Sequence, residues 1–190
     1  MSRGAMPAAS VTWGLALFLA VLLVERTVEL AISRRNTEAL KAQGANEYGA
    51  GHFPLLVFIH VLFPVGLVAE VLWLGARPGA LWPLWLALLL GAQALRVCAM
   101  RALGGFWSVR VLVVPGTSRV RSGPYRRLRH PNYLAVVLEL VAAPLLFGAW
   151  RTALGVSVLN AIALGMRIRV EESALRRNVT ATNGRTASPV

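Results

Sequence analysis

The run Gly123-Pro124-Tyr125-Arg126-Arg127-Leu128-Arg129-His130-Pro131-Asn132-Tyr133 packs three arginines, a histidine and two tyrosines into eleven residues. A second polar cluster, Arg167-Ile168-Arg169-Val170-Glu171-Glu172, follows some thirty-five residues later, directly after an apolar run. Cationic, aromatic and carboxylate groups in such company can bind a charged small molecule, orient an anion and move a proton. Arg167 and Glu171 are spaced i,i+4 and so share one face of a helix. Arg169, Glu172 and Arg176 repeat the spacing on a neighbouring face, which as a plain salt-bridge ladder would contribute only about 0.3–0.5 kcal/mol per pair. The residue before a proline avoids the helical region, so Arg129-His130-Pro131 marks a turn, with Pro131 in the first turn of a new helix. His130 then sits at a helix N-terminus, where free N–H groups and the dipole favour an anionic group. Taken alone, the arginines and tyrosines would equally suit an interfacial aromatic and basic belt.

The elements that must position these clusters are membrane helices. The 190-residue chain is 56% hydrophobic and only 15% charged, with no aspartate, one lysine and a net charge of +12. A soluble domain carries about a quarter charged residues. The basic residues fall in the gaps between apolar runs rather than over a soluble surface or within a known motif, which argues against nucleic-acid binding. Cys98 is the only cysteine, and the three histidines are scattered. Neither a disulfide framework nor a metal site is expected.

Apolar segments of the length a bilayer needs, about 17–25 residues, run over Gly4–Val24, Phe53–Gly75, Pro78–Leu95 and Tyr133–Trp150. A shorter fifth, Thr152–Met166, is flanked by Arg151 and Arg167, which can snorkel. The first is followed by Glu25-Arg26 rather than a small-residue cleavage site, so it reads as a retained helix, continuing to about Arg34. The last two are joined through Trp150-Arg151-Thr152 and should form a tight antiparallel hairpin. The expected fold is therefore an all-α integral membrane protein of about five transmembrane helices. Residues 1–177 form a single membrane domain, and 178–190, rich in Thr, Asn and Ser, a disordered tail.

Five passes place the loops 34–52 and 101–132 and the C-terminal segment on one side, with fifteen of the twenty basic residues. Only Arg3, Arg77 and Arg151 fall on the other. The positive-inside rule makes the rich side cytoplasmic, with the N-terminus outside and the C-terminus inside. Both polar clusters then face the cytoplasm from the cell's inner (plasma) membrane. Glu139, inside the fourth apolar run, either lines an acceptor cavity or bridges two helices, since a lipid-facing carboxylate is costly. A small transporter or scaffold would distribute its polar groups along several helices; here they concentrate at one end.

Arg129-His130-Pro131-Asn132-Tyr133, preceded by Gly123-Pro124-Tyr125 and followed by Arg167-x-x-x-Glu171-Glu172-x-x-Leu175, resembles the isoprenylcysteine carboxyl methyltransferase family. The resemblance is specific over Trp107–Leu175 and covers the earlier passes through topology alone. It implies a membrane methyltransferase that uses S-adenosylmethionine without a Rossmann domain, consistent with the lack of a strand-flanked G-x-G-x-x-G. It further implies that Thr117, Ser118, Arg119, Val120, Tyr125, His130, Pro131, Asn132 and Tyr133 surround the cofactor. Glu171 would contact the cofactor and Arg167 the methyl acceptor. Where prenylcysteine-directed members carry Phe-Gly and two tyrosines after the Glu pair, this chain has Leu175-Arg176-Arg177-Asn178-Val179-Thr180. Thr117 replaces a histidine of the family's loop.

Phe106-Trp107-Ser108-Val109-Arg110, Val113-Val114-Pro115-Gly116 and Glu139-Leu140-Val141-Ala142-Ala143-Pro144 are more similar to bacterial members of the family. Some of these are similar to O-methyltransferases acting on phenolic lipids, the alkylresorcinols and alkylpyrones made by type III polyketide synthase pathways. The resemblance thus implies O-methylation of a phenolic lipid. Carboxyl methylation of isoprenylcysteine-like substrates and amine methylation of phospholipids are the alternatives. A phenol, with a pKa of about 10, must lose a proton, and Glu172 or Glu139 could take it while Arg167 stabilises the phenolate.

Overall fold

The computed structural model describes residues 8–117 and 119–186. Among the described residues there are five α-helices: α1 (Ala8–Ala42), α2 (Phe53–Leu72), α3 (Trp82–Leu103), α4 (Pro131–Leu146) and α5 (Trp150–Thr186). Among the described residues, three stretches are long and apolar enough to cross a membrane: Phe53–Leu72, Trp82–Phe106 and Trp150–Asn178. α4, at 16 residues, spans about 24 Å at 1.5 Å per residue, short of the ~30 Å hydrocarbon core. α1 runs 35 residues, well past Arg34, and its first half turns Trp13, Leu17, Leu23 and Val24 outward. Large apolar side chains exposed along several helices suit a lipid environment rather than water. The helix α5 continues to Thr186, beyond the Arg177 at which composition ends the domain.

Packing centres on α2, whose Ile59, Phe63, Leu67 and Val71 meet Leu140 and Ala143 of α4 and Val156 and Ala163 of α5 in one buried cluster. Glu70 of α2 is buried there, and its carboxylate accepts hydrogen bonds from the Thr152 amide (2.7 Å), the Thr152 hydroxyl (2.8 Å) and the Arg151 amide (3.1 Å). A side chain from one helix thereby satisfies the otherwise orphaned N–H groups that open another.

α4 and α5 form the expected hairpin, but the break falls at Phe147-Gly148-Ala149, and Arg151 and Thr152 already belong to the first turn of α5. Gly148 decides the position. Its φ is +76°, and a Cβ there would stand 1.9 Å from the Arg77 carbonyl oxygen. Only glycine satisfies both demands.

Two three-residue strands lie outside the helical frame. β1 (Asn46–Tyr48) pairs antiparallel with β2 (Val111–Val113), Glu47 opposite Leu112. Glu47 also bridges Arg110 and, at 3.0 Å, Lys41. The guanidinium hydrogen bond from Arg110 holds its carboxyl below the usual carboxylate range. This pairing gathers the loop after α1 and the loop after α3 at one end of the bundle, against α5.

Candidate active site at the mouth of α4

A 3₁₀ turn, Gly123–Arg126, packs on the end of α3, where a Cβ on Gly123 (φ +52°) would stand 3.1 Å from Ala102. The chain then enters α4 with His130 as the N-cap and Pro131 buried at N1. The His130 and Tyr133 rings stack, centroids 5.1 Å apart and 6° from parallel.

Arg167 and Glu171 of α5 both reach the Tyr133 hydroxyl rather than each other. The Arg167 Nε donates to it at 2.8 Å, and the hydroxyl in turn donates to Glu171 Oε2. Arg167 Nη2 donates to the Val109 carbonyl at 2.7 Å. Glu172 turns to groups outside its own helix: its Oε1 lies 3.1 Å from His130 Nε2 and 3.1 Å from Arg119 Nη2. His130 Nδ1 is 3.8 Å from Glu171 Oε1. The two polar clusters of the sequence are thus a single connected network.

These groups surround a cavity of about 160 Å³. Thr117, Arg119, Val120, Tyr125, His130, Asn132, Tyr133, Arg167 and Glu171 line it. Ser118 lies outside the described residues. Pro131, buried in the first turn of α4, is not among the lining residues, and Glu172 reaches the cavity through His130. Burial, followed by the nearby Glu171 carboxylate, pushes the Tyr125 phenol up to about 12, so it is a neutral hydrogen-bonding group at physiological pH.

Glu139 lies elsewhere. In the middle of the bundle its carboxylate accepts from Arg26 Nη2 (2.6 and 2.9 Å), Arg96 Nη2 (2.5 Å) and Gln93 Nε2 (3.3 Å). Glu29 completes the group, 2.6 Å from Arg26 and 3.4 Å from Arg96. The sequence-based expectation that Glu139 could act as a base therefore gives way to its place in an α1–α3–α4 clamp. The reason is tertiary: α1 and α3 bring two guanidiniums to a carboxylate that the sequence shows alone in an apolar run.

The site also uses residues that sequence reasoning left unassigned. Trp107, Ser108 and Arg110 line the cavity, and α1 holds their segment in place. Asn36 Nδ2 donates to the Trp107 carbonyl (2.8 Å) and the Gly104 carbonyl (3.1 Å), and Ser33 Oγ accepts from the Val109 amide (3.0 Å). Trp107 Nε1 and Asn132 Oδ1 are buried with no hydrogen-bond partner among the described residues. Buried polar atoms are normally paired, so a ligand is expected to complete these two.

Residues 85–177 match the isoprenylcysteine carboxyl methyltransferase family. The chain belongs to this family. It is 41% identical to the uncharacterized protein YpbQ of Bacillus subtilis (strain 168) over 160 residues, 84% of this chain and 95% of that one. An uncharacterized protein of Haemophilus influenzae is 32% identical over 157 residues, 82% of this chain and 91% of the relative. No solved structure matches. The family's membrane methyltransferases use S-adenosylmethionine, and the cavity's chemistry fits that molecule: carboxylates for its cationic groups, aromatic faces, and an unpaired donor and acceptor. Among the described residues no cluster of His, Cys or Glu could hold a metal.

Proposed function

We propose that this chain transfers a methyl group from S-adenosylmethionine to an oxygen of a lipophilic acceptor in the membrane, a phenolic lipid being the class that fits best. The observation that carries this reading is Arg167. It is 8% exposed, lines the cavity and bonds only neutral oxygens, the Tyr133 hydroxyl and the Val109 carbonyl; among the described residues it has no salt bridge within 4 Å. A buried guanidinium left without an anion is costly, and an acceptor carrying an anionic oxygen would compensate it. That requirement disfavours an amine acceptor such as a phospholipid headgroup.

S-adenosylmethionine supplies an electrophilic methyl group when bound. Glu171, Tyr125, Asn132 and the loop residues Thr117, Ser118, Arg119 and Val120 would hold it, with Pro131 setting the backbone of the α4 entrance. Arg167 orients the acceptor oxygen and stabilises its negative charge. A phenol must first be ionised, and Glu172, hydrogen-bonded to His130 at the cavity edge, is the group to take that proton. A carboxylic acid is already ionised at pH 7 and needs no such pair, so the His130–Glu172 contact favours the phenol over carboxyl methylation. Water exclusion strengthens the Arg167 contact and protects the displacement.

The reading extends to orientation. With the β1–β2 pair and the cavity at one end of the bundle, the basic loops sit beside the site, which supports a cytoplasmic active site under the positive-inside rule. Residues 1–177 would act as one membrane domain.

The test is incubation of the purified protein with labelled S-adenosylmethionine and three lipids: an alkylresorcinol, a prenylcysteine and phosphatidylethanolamine. Label in the alkylresorcinol is expected. Label confined to prenylcysteine would replace the phenolic reading with carboxyl methylation, and label in none would overturn the O-methyltransferase reading of these acceptors.

A further inference from the structure

We infer that Trp107 and Asn132 recognise the adenine ring of the methyl donor, the indole N–H giving and the carboxamide oxygen taking one hydrogen bond. The inference rests on the methyltransferase reading of the cavity and assigns the part of the cofactor that these two groups would read. Several charged residues at the cavity are already engaged by protein groups. Arg167 and Glu171 hold Tyr133, Arg119 holds Glu172, and Arg110 holds Glu47. Of the described residues that line the cavity, Trp107 and Asn132 are the ones with a buried side-chain polar atom, Nε1 and Oδ1, that has no partner.

An indole nitrogen can only donate, and a carboxamide oxygen can only accept. Their shared ligand must therefore present an acceptor and a donor on a neutral, flat apolar body. Adenine does so: its exocyclic amino group donates beside ring nitrogens that accept.

The wall is also built for a fixed contact. Trp107 is 3% exposed, and Asn36, itself buried on α1, donates to the Trp107 carbonyl and to that of Gly104 three residues earlier. Asn132 is the second residue of α4, locked behind Pro131.

Hypoxanthine provides the sharpest contrast. It replaces the amino donor with a carbonyl and the adjacent ring acceptor with an N–H, so it presents like groups to both wall atoms. Sites built around such hydrogen bonds reject mismatched ligands strongly.

The experiment is calorimetric binding of S-adenosylhomocysteine and S-inosylhomocysteine to the full chain in detergent, for wild type and Trp107→Phe, with melting curves alongside. Wild type should prefer the adenine ligand by about 100-fold. Trp107→Phe, which keeps an aromatic ring and removes the N–H, should lose about ten-fold in adenine affinity and narrow that preference, with the melting midpoint retained. Equal wild-type affinity for the two ligands would overturn the inference without any variant, and so would a Trp107→Phe protein that binds both as wild type does. An unaltered Kd for S-adenosylhomocysteine with a raised acceptor KM would assign the pair to the acceptor instead. A wild type that binds neither ligand would strike the methyltransferase reading itself, and the two failures are thereby told apart.

Discussion

Two clusters of arginine and glutamate lie within this bundle, and they are built to opposite ends. The clamp of Arg26, Glu29, Arg96 and Glu139 sits between α1, α3 and α4 with each of these side chains engaged by at least two others. The cluster at the mouth of α4 holds the same residue types, but around a cavity, with a guanidinium that lacks a carboxylate and two polar atoms that lack a partner among the described residues. A closed network stabilises and specifies helix packing; an incomplete one needs a ligand. An intramembrane carboxylate is therefore a weak sign of catalysis until its partners are known. Glu139, the most conspicuous charge in an apolar run, belongs to the closed kind.

The largest expected effect tests the closed cluster. Arg96→Leu removes one of the two guanidiniums on a carboxylate buried to 1% exposure. Breaking one side of a buried pair costs about 3–5 kcal/mol, which chemical denaturation in detergent would read. Replacing Glu139 as well, in Arg96→Leu/Glu139→Leu, should recover much of that loss, because Arg26 and Glu29 still pair. A double variant as weak as the single one would show that the clamp is not electrostatically closed.

The next effect tests the open cluster. Glu172→Gln should lower turnover on a phenolic acceptor by about 100-fold while leaving the affinity for S-adenosylhomocysteine and the melting midpoint near wild type. Wild-type turnover should rise with pH as the accepting group loses its proton. Tyr125, with its phenol near 12, should add no step to that profile below pH 10. If the acceptor is a carboxylate, the loss should vanish, so the same variant separates the two acceptor classes.

The smallest effect concerns the exposed Glu47 bridge that ties β1 to β2. Its folded carboxyl is held below its ordinary value by Arg110 and then Lys41. Its contribution is therefore present above the ordinary carboxylate range and lost as pH falls through the lowered value. Exposed pairs contribute about 0.2–1 kcal/mol. Glu47→Gln should lower the melting midpoint slightly at pH 7, and the gap to wild type should close on acidification. A gap that persists in acid would point to the strand pairing rather than to charge.

Much of the frame was legible in the sequence. Apolar run length alone places α2, α3 and α5, and the turn signals at Gly123-Pro124 and His130-Pro131 locate the entrance to α4 within a residue. The Arg167–Glu171 spacing, together with His130-Pro131-Asn132-Tyr133, is enough to name the family. Element ends were less legible. The α4–α5 break sits at Gly148 because of a carbonyl on Arg77, a residue seventy-one positions away in the chain.

Local sequence determines what depends on a few adjacent residues: helical stretches long enough for a bilayer, a proline-opened N-terminus, two charges one turn apart. Tertiary structure decided which charges met. Arg167 and Glu171 share a helix face, yet they join only through Tyr133 of α4, and Glu172 leaves its helix neighbours for His130 and Arg119. The pairing of Asn46–Tyr48 with Val111–Val113 and the burial of Trp107 under Asn36 likewise rest on contacts across more than sixty residues. No local periodicity records such contacts, because their free energy comes from burying and satisfying polar groups that approach one another only when the helices pack.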